Sequence, residues 1–252
     1  MTAWRADQRR KVQKAATALP ETLANKETSA KETRATKTWA KTRAKTWAKT
    51  WAKTRGGEAN VQRILDAALS VFATEGFAGA RIDAIAAKAG LSKPNLLYYF
   101  RTKQELYLAA LRRTLDTWLV PLARIEADSD PRAALTDYVT EKLEYARDYP
   151  EASRLFAIEV MRGAPVLKDV LSGELKVLVD RKVTLLRRWM AQGRLARRDP
   201  HHLIFMIWAT TQHYADFSTQ VEAITERTLH HPGFFAAARQ SILDAVLGPE
   251  PG

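Results

Sequence analysis

The stretch RIDAIAAKAGLSKPNLLYYF, Arg81 to Phe100, reads as two short helices meeting at a three-residue turn, Gly90-Leu91-Ser92. The spacing predicts one helix over about 82–89 and a second over 93–99. Glycine supplies the positive φ that such a turn needs. Ala86 and Ala89 are small enough to let the second helix cross closely over the first. In a helix-turn-helix, the start of the second helix enters the major groove while flanking groups grip phosphates. Lys93 and Asn95 are then placed for base edges, the lysine donating to guanine and the asparagine pairing with adenine. Ser92, Tyr98, Tyr99 and Lys103 suit phosphate oxygens, Lys103 aided by the N-terminus of the next helix. Arg81, at the start of the motif, is counted with them as a DNA contact. The same corner also occurs in proteins that never touch DNA, so the pattern alone leaves both readings open.

On either side the apolar period stays near 3.6 residues. Val61, Ile64, Leu65, Ala68 and Phe72 line a first helix that stops at Glu75-Gly76. Thr102 and Glu105 form a T-x-x-E capping box opening a long helix through about Leu122. Asp130-Pro131 and Asp199-Pro200 each pair a cap residue with proline at the first helical position. They predict helices running to about Arg147 and about Phe217. Pro150 opens another ending near Gly163, a long one follows to Gln192-Gly193, and a last one fills Phe234 to Leu247. No stretch has the alternating, β-branched pattern of a strand. The expected fold class is all-α, with about nine helices.

Composition narrows the function classes. The longest unbroken apolar run, Leu203 to Ala209, is seven residues, far below the ~20 of a membrane-spanning helix. No secretory pattern opens the chain, and with no cysteine there is no disulfide framework, thiolate metal site or cysteine nucleophile. A cytoplasmic protein without membrane association is expected. The net charge is +12 over 252 residues, but it is unevenly spread. Residues 1–57 hold 15 Lys/Arg against 4 Asp/Glu, and the rest of the chain is nearly balanced at 25 against 24. The basic excess therefore describes a tail, whereas the globular part must be judged by its motifs.

That tail carries a four-residue repeat, KTWA-KTRA-KTWA-KTWA-KTR, from Lys37 to Arg55. Threonine is a poor helix former, and lysines four apart repel each other. With too little aliphatic surface for a core, residues 1–57 read as a basic low-complexity tail, disordered when free. Two readings stand: a basic, aromatic arm tracking nucleic acid, or an extension without a specific partner.

Catalysis finds little support. The five histidines make two adjacent pairs and a single His213. Neighbours on a helix point about 100° apart and do not converge on one metal. No Walker loop, nucleophile elbow or dinucleotide fingerprint is present. The reading calls for no cofactor and no metal.

Residues 58–252 resemble the tetracycline-repressor (TetR) family of bacterial regulators. The resemblance is carried by the N-terminal three-helix unit, by IAAKAGLSKPNLLYYFRTKQEL from Ile85, and by a helical remainder of about 150 residues. The family often has Tyr at the position of Leu97 and His at that of Tyr99, so Tyr98 or Tyr99 is favoured for the backbone contact. LDTWLVPLARI at 115–125, YARDYPEASRLFAIEVMRGAP at 145–165 and DPHHLIFMIWATTQHYADFSTQVEAIT at 199–225 are similar to the pyrimidine-utilisation branch of that family. The resemblance implies a DNA-binding domain at 58–103 and a ligand-binding and dimerisation domain at 104–252. It also implies a homodimeric repressor of pyrimidine metabolism genes that leaves operator DNA when uracil or thymine binds. Its subunit interface is expected to use about 200–217 and 234–247.

Trp208 and Gln212 lie four apart, so the amide sits one turn above the indole on one face of a helix. An indole offers a stacking surface and a carboxamide can match an imide edge. Trp118 is expected to close the opposite side. A buried Trp is more often core, and a Gln among apolar residues often bonds a neighbouring helix. A related repressor taking another flat heterocyclic or aromatic metabolite is the alternative.

Deleting 1–54 is expected to leave operator recognition and effector response intact while flattening the salt dependence of DNA binding. Loss of operator-specific binding at moderate salt in the truncated chain would contradict the reading of the tail as an extension.

Overall fold

The computed structural model describes residues 55–248, so the expectation for 1–54 lies outside the described residues. Helix α1, Arg55–Gly79, begins two residues before the point at which the glycine pair was read as a break. Gly56 and Gly57 therefore sit in its first turn, where backbone N–H groups have no helical partner in any case. Gly76, with φ 68°, breaks the regular helix where the sequence placed its end. Helices α2 (Ile82–Lys88), α3 (Lys93–Tyr99) and α4 (Lys103–Arg124) follow.

Thr102 accepts from Glu105 N–H at 3.0 Å, while the Glu105 carboxylate reaches back one residue further than a capping box does, to Arg101 N–H at 2.9 Å. Asp130 caps α5, Pro131–Asp148, through Ala133 N–H at 2.8 Å. Helix α6 is Pro150–Met161. A single turn at Lys168–Val170 and a π-turn at Leu171–Leu175 run directly into α7, Lys176–Ala191. Asp199 caps α8, Pro200–Asp216, accepting from His201 and His202 N–H. Those backbone bonds, the one from His202 foremost, hold the Asp199 carboxyl below its ordinary range. The sequence missed α9, Ser218–Thr225, and α10, Pro232–Leu247, starts two residues earlier than expected, capped by His231. Among the described residues the fold is all helix, as expected, with one helix more than the sequence predicted.

Helix α1 packs along α4 and α6, and α8 packs along α5 and α6 with α7 and α10 beside it. One continuous core runs from Ile64, Phe72 and Ile85 at the N-terminal end to Tyr138, Leu143 and Ile207 at the other. No flexible linker separates the two ends, because α4 contributes to both.

Tyr107 on α4 makes this join specific. Its ring lies 4.9 Å from both Phe72 and Phe77 of α1. Its hydroxyl donates to Glu159 Oε2 of α6 at 3.1 Å, and burial pushes the phenol's pKa well above its usual value. The other Glu159 oxygen accepts from Val166 N–H at 2.8 Å. Tyr107→Phe leaves a buried carboxylate one donor short and is expected to cost about 1–3 kcal/mol. A urea unfolding curve indistinguishable from wild type would contradict this account.

Candidate DNA-reading face and effector site

At the N-terminal end, Ile85, Ala86, Ala89 and Leu96 are buried and hold α3 across α2. Gly90 N–H bonds Ala87 O and Leu91 N–H bonds Ala86 O, which closes the turn. Gly90 has φ +68°, and a Cβ there would meet nothing closer than 3.8 Å. Any other side chain is opposed by backbone strain rather than by a clash. Ser92 accepts from Asn95 N–H at 3.4 Å, a long cap bond that leaves its hydroxyl at the exposed surface.

The predicted DNA contacts separate into two groups. Arg81, Lys93, Asn95 and Tyr98 are all exposed, Tyr98 at 81%. The Lys93 ammonium rests 3.2 Å from Asp83 Oδ2 across the motif. Tyr99 and Lys103 are spoken for. Tyr99 stands edge-on to Tyr98, and its hydroxyl accepts from Asn60 Nδ2 at 3.0 Å. Lys103 donates to Ala78 O at 3.2 Å and Ala80 O at 3.1 Å, with its ammonium 4.9 Å from the Phe77 ring. Its donors fasten the end of α1 onto α4, a clamp that the sequence did not disclose. Of the two tyrosines, Tyr98 is the one with an open surface. The sequence reading passed over Arg101, exposed just before α4.

The second site lies where α4, α5, α6 and α8 meet. The predicted stripe on α8 is present, with Trp208 and Gln212 both half-buried. The Trp208 Nε1–H donates to the Tyr138 hydroxyl of α5 at 2.6 Å. Among the described residues the Gln212 amide has no hydrogen-bond partner, although it lies between two polar contacts made by the same stripe, Trp208 with Tyr138 and Asp216 with Ser153. Trp118 is buried, edge-on to Phe156 of α6 at 5.1 Å. The two tryptophans make no ring contact with each other. The Trp118 face assigned to a flat ligand is covered by the ammonium of Lys142, 4.5 Å from the ring centroid.

Lys142, Asp216, Ser153 and Tyr138 are the polar residues of this site that the sequence did not disclose. Lys142 is only 4% exposed, and burial brings its ammonium down to about 7, opposed by the charge of Asp216. Asp216 is pushed up by burial and held back first by Ser153, whose hydroxyl donates to it at 2.5 Å. Arg154 donates to Ala215 O and Ser218 Oγ, tying α6 to the end of α8. A small cavity of about 10 Å³, lined by Leu122, Leu135, Tyr138, Lys182, Leu203 and Ile207 among others, shares Tyr138 with the stripe. Among the described residues no three potential metal ligands cluster, and no helix is long and apolar enough to cross a membrane.

Comparison with known proteins agrees with this layout. Residues 64–110 match the family described as bacterial regulatory proteins, tetR family, and residues 111–249 match the YcdC-like protein C-terminal region. The HTH-type transcriptional regulator RutR of Escherichia coli K12 is 53% identical over 193 residues, 77% of this chain and 91% of that protein. The HTH-type transcriptional repressor NicS of Pseudomonas putida is 30% identical over 52% of this chain and 61% of its own. Among solved structures, a TetR-like transcriptional regulator from Rhodococcus sp. RHA1 superposes with a TM-score of 0.56 at 24% identity, covering 77% of this chain and 96% of that one. AibR in complex with isovaleryl coenzyme A and operator DNA gives 0.57 at 14% identity, covering 75% and 99%. These two show the fold alone.

Asn95→Ala is expected to relax base preference by about 1–3 kcal/mol at one position of the site. Lys103→Met should lower the stability of the DNA-free protein and leave base preference unchanged. Competition among operator variants, together with thermal melting, separates the two. Equal preference in the Asn95 variant, or unaltered melting in the Lys103 variant, would contradict these roles.

Proposed function

Because the chain belongs to the TetR family of bacterial transcriptional regulators, we propose that it represses pyrimidine metabolism genes as a cytoplasmic homodimer and leaves its operator when uracil or thymine binds. As a family member it is a regulator of transcription rather than an enzyme, and the family acts through operator DNA and small-molecule effectors. The observation that carries the pyrimidine reading is the Gln212 amide, which no protein group pairs, one turn above the Trp208 indole and one turn before Asp216 on the same helix. A half-buried amide with no protein partner is free to exchange its water for a ligand's donors and acceptors. A diketopyrimidine offers carbonyl oxygens, ring N–H groups and a flat face to such a site.

In this reading residues 58–103 bind DNA and 104–252 bind effector and partner. The dimer uses the faces of α8 and α10 that the single chain leaves exposed, with Phe205 on one and Ala236, Ala237 and Ala245 on the other. Small and apolar residues there allow close helix approach. A twofold dimer presents two α3 helices to half-sites about 34–36 Å apart. Release needs a ligand whose affinity differs between the two dimer shapes. The route runs through α4, which carries Trp118 in the effector site and Tyr107 against α1.

Operator DNA selected from a random pool and followed by fluorescence anisotropy tests the proposal. Uracil or thymine is expected to release the DNA, and cytosine to do so far less well. No release by either at millimolar concentration would contradict the pyrimidine assignment and leave the repressor assignment standing.

A further inference from the structure

Lys142 is an unusual residue to bury. It is only 4% exposed, and among the described residues no hydrogen-bond acceptor reaches its ammonium. Its neighbours are the face of Trp118 from α4 and the charge of Asp216 from α8. On α5 itself, Tyr138 stands one turn away, its hydroxyl oxygen accepting from the Trp208 Nε1–H. Asp216 in turn answers to Ser153 and Arg154 from α6 and to His213 on its own helix. The carboxylate has one oxygen bonded to Ser153, and Lys142 is not within bonding distance of either.

A buried ammonium with three donors and no acceptor is costly. Cation–π contact with one indole returns only part of that cost. Such an arrangement persists where a ligand completes it.

We propose that Lys142 is the fixed-polarity donor of the effector site, paired with Asp216 as acceptor, and that together they select ligands presenting a carbonyl oxygen beside a ring N–H. This inference rests on the pyrimidine reading and names the chemistry that makes it selective. An amide such as Gln212 can flip to meet either polarity, whereas Lys142 in the protonated form that a carbonyl oxygen favours has no lone pair to offer. The ligand class is therefore the neutral cyclic imides and lactams. At the edge where uracil has N3–H beside C4=O, cytosine has a bare N3 beside an amino group, which sets donor against donor at Lys142 and acceptor against acceptor at Asp216 when that edge faces them.

In the ligand-free protein the ammonium lies where a flat ring would stack on Trp118. Ligand entry moves it off the indole and onto the carbonyl oxygen, and the ring takes its place. The exchange replaces a partial contact by a charge-assisted hydrogen bond. It also favours the charged form of a group that burial holds near pH 7. Binding should then take up protons above that pH, and affinity should fall as the pH rises from 7 through the higher value of the bound state.

The test is calorimetric titration of the full chain with uracil and cytosine at pH 7.5 in two buffers of different ionisation enthalpy, alongside melting of the ligand-free protein. Lys142→Met removes the buried charge while keeping most of the volume. It should weaken uracil at least tenfold, narrow the uracil-to-cytosine ratio, abolish proton uptake, and hold or raise the melting temperature. Opposite signs for stability and affinity mark a binding residue, since a purely structural lysine would lose both. Lys142→Gln can donate and accept, so it should keep uracil within a few-fold and lose both the discrimination and the proton uptake. Wild-type protein that fails to bind uracil would overturn the pyrimidine reading and this assignment with it. Wild-type protein that binds uracil without proton uptake, or with the same affinity and selectivity as either variant, would overturn the Lys142 assignment alone.

Discussion

Helix α4 contributes to both ends of the one continuous core, and the rest of the architecture depends on that sharing. Near its start Lys103 holds the end of α1, and Tyr107 packs on Phe72 and Phe77. One turn and a half further on, Arg113 reaches Asp66 at 2.9 Å and Gln62 of α1. Trp118 then enters the effector site, and Lys182 of α7 donates to the carbonyls of Ala123 and Ile125 at the far end. A rigid helix fixed at both ends cannot move locally. A displacement at Trp118 is carried to α1, because packed interiors shift between discrete arrangements instead of deforming gradually.

Helix α6 adds a second connection between the same two places. Phe156 touches Trp118 and Ser153 holds Asp216 at one end, while Glu159 receives Tyr107 at the other. The polar groups of the effector site are thus not isolated within an apolar core. Lys142 lies against Trp118 of α4 and Asp216 accepts from Ser153 of α6, and both of those helices also pack on α1. On the proposed function, the incomplete partnering of the buried lysine is the energy difference that a ligand can use.

Much of the fold was legible because caps and periods are local. Ser92, Thr102, Asp130 and Asp199 stand where the sequence placed them, and each accepts the N–H expected of it. Helix α9 was missed because neither end is written in the usual residues. No side chain caps its start, and it stops at Glu226, which takes the left-handed conformation with φ 54° in place of a glycine. The start of α1 was missed because a glycine pair reads as a break unless the tertiary structure holds it. In the site, Trp208 and Gln212 were legible from their spacing. Lys142 was not, because EKLEYARD from Glu141 reads as a solvated face until α4 and α8 close over it. The Lys103 clamp was not legible for a related reason: whether a cation faces solvent or a helix end is decided by residues 23 and 25 positions away.

The claim that effector occupancy is transmitted through α4 to the DNA unit is most directly tested by a distance. The chain has no cysteine, so a single Thr74→Cys substitution on the exposed side of α1 allows one spin label per subunit. Double electron–electron resonance then reads the separation of the two DNA units in the proposed dimer, with and without saturating uracil. The account predicts a main distance that shifts on uracil addition, taking the reading helices away from the roughly 34–36 Å half-site spacing. An unchanged distance distribution at a uracil concentration that releases operator DNA would contradict it.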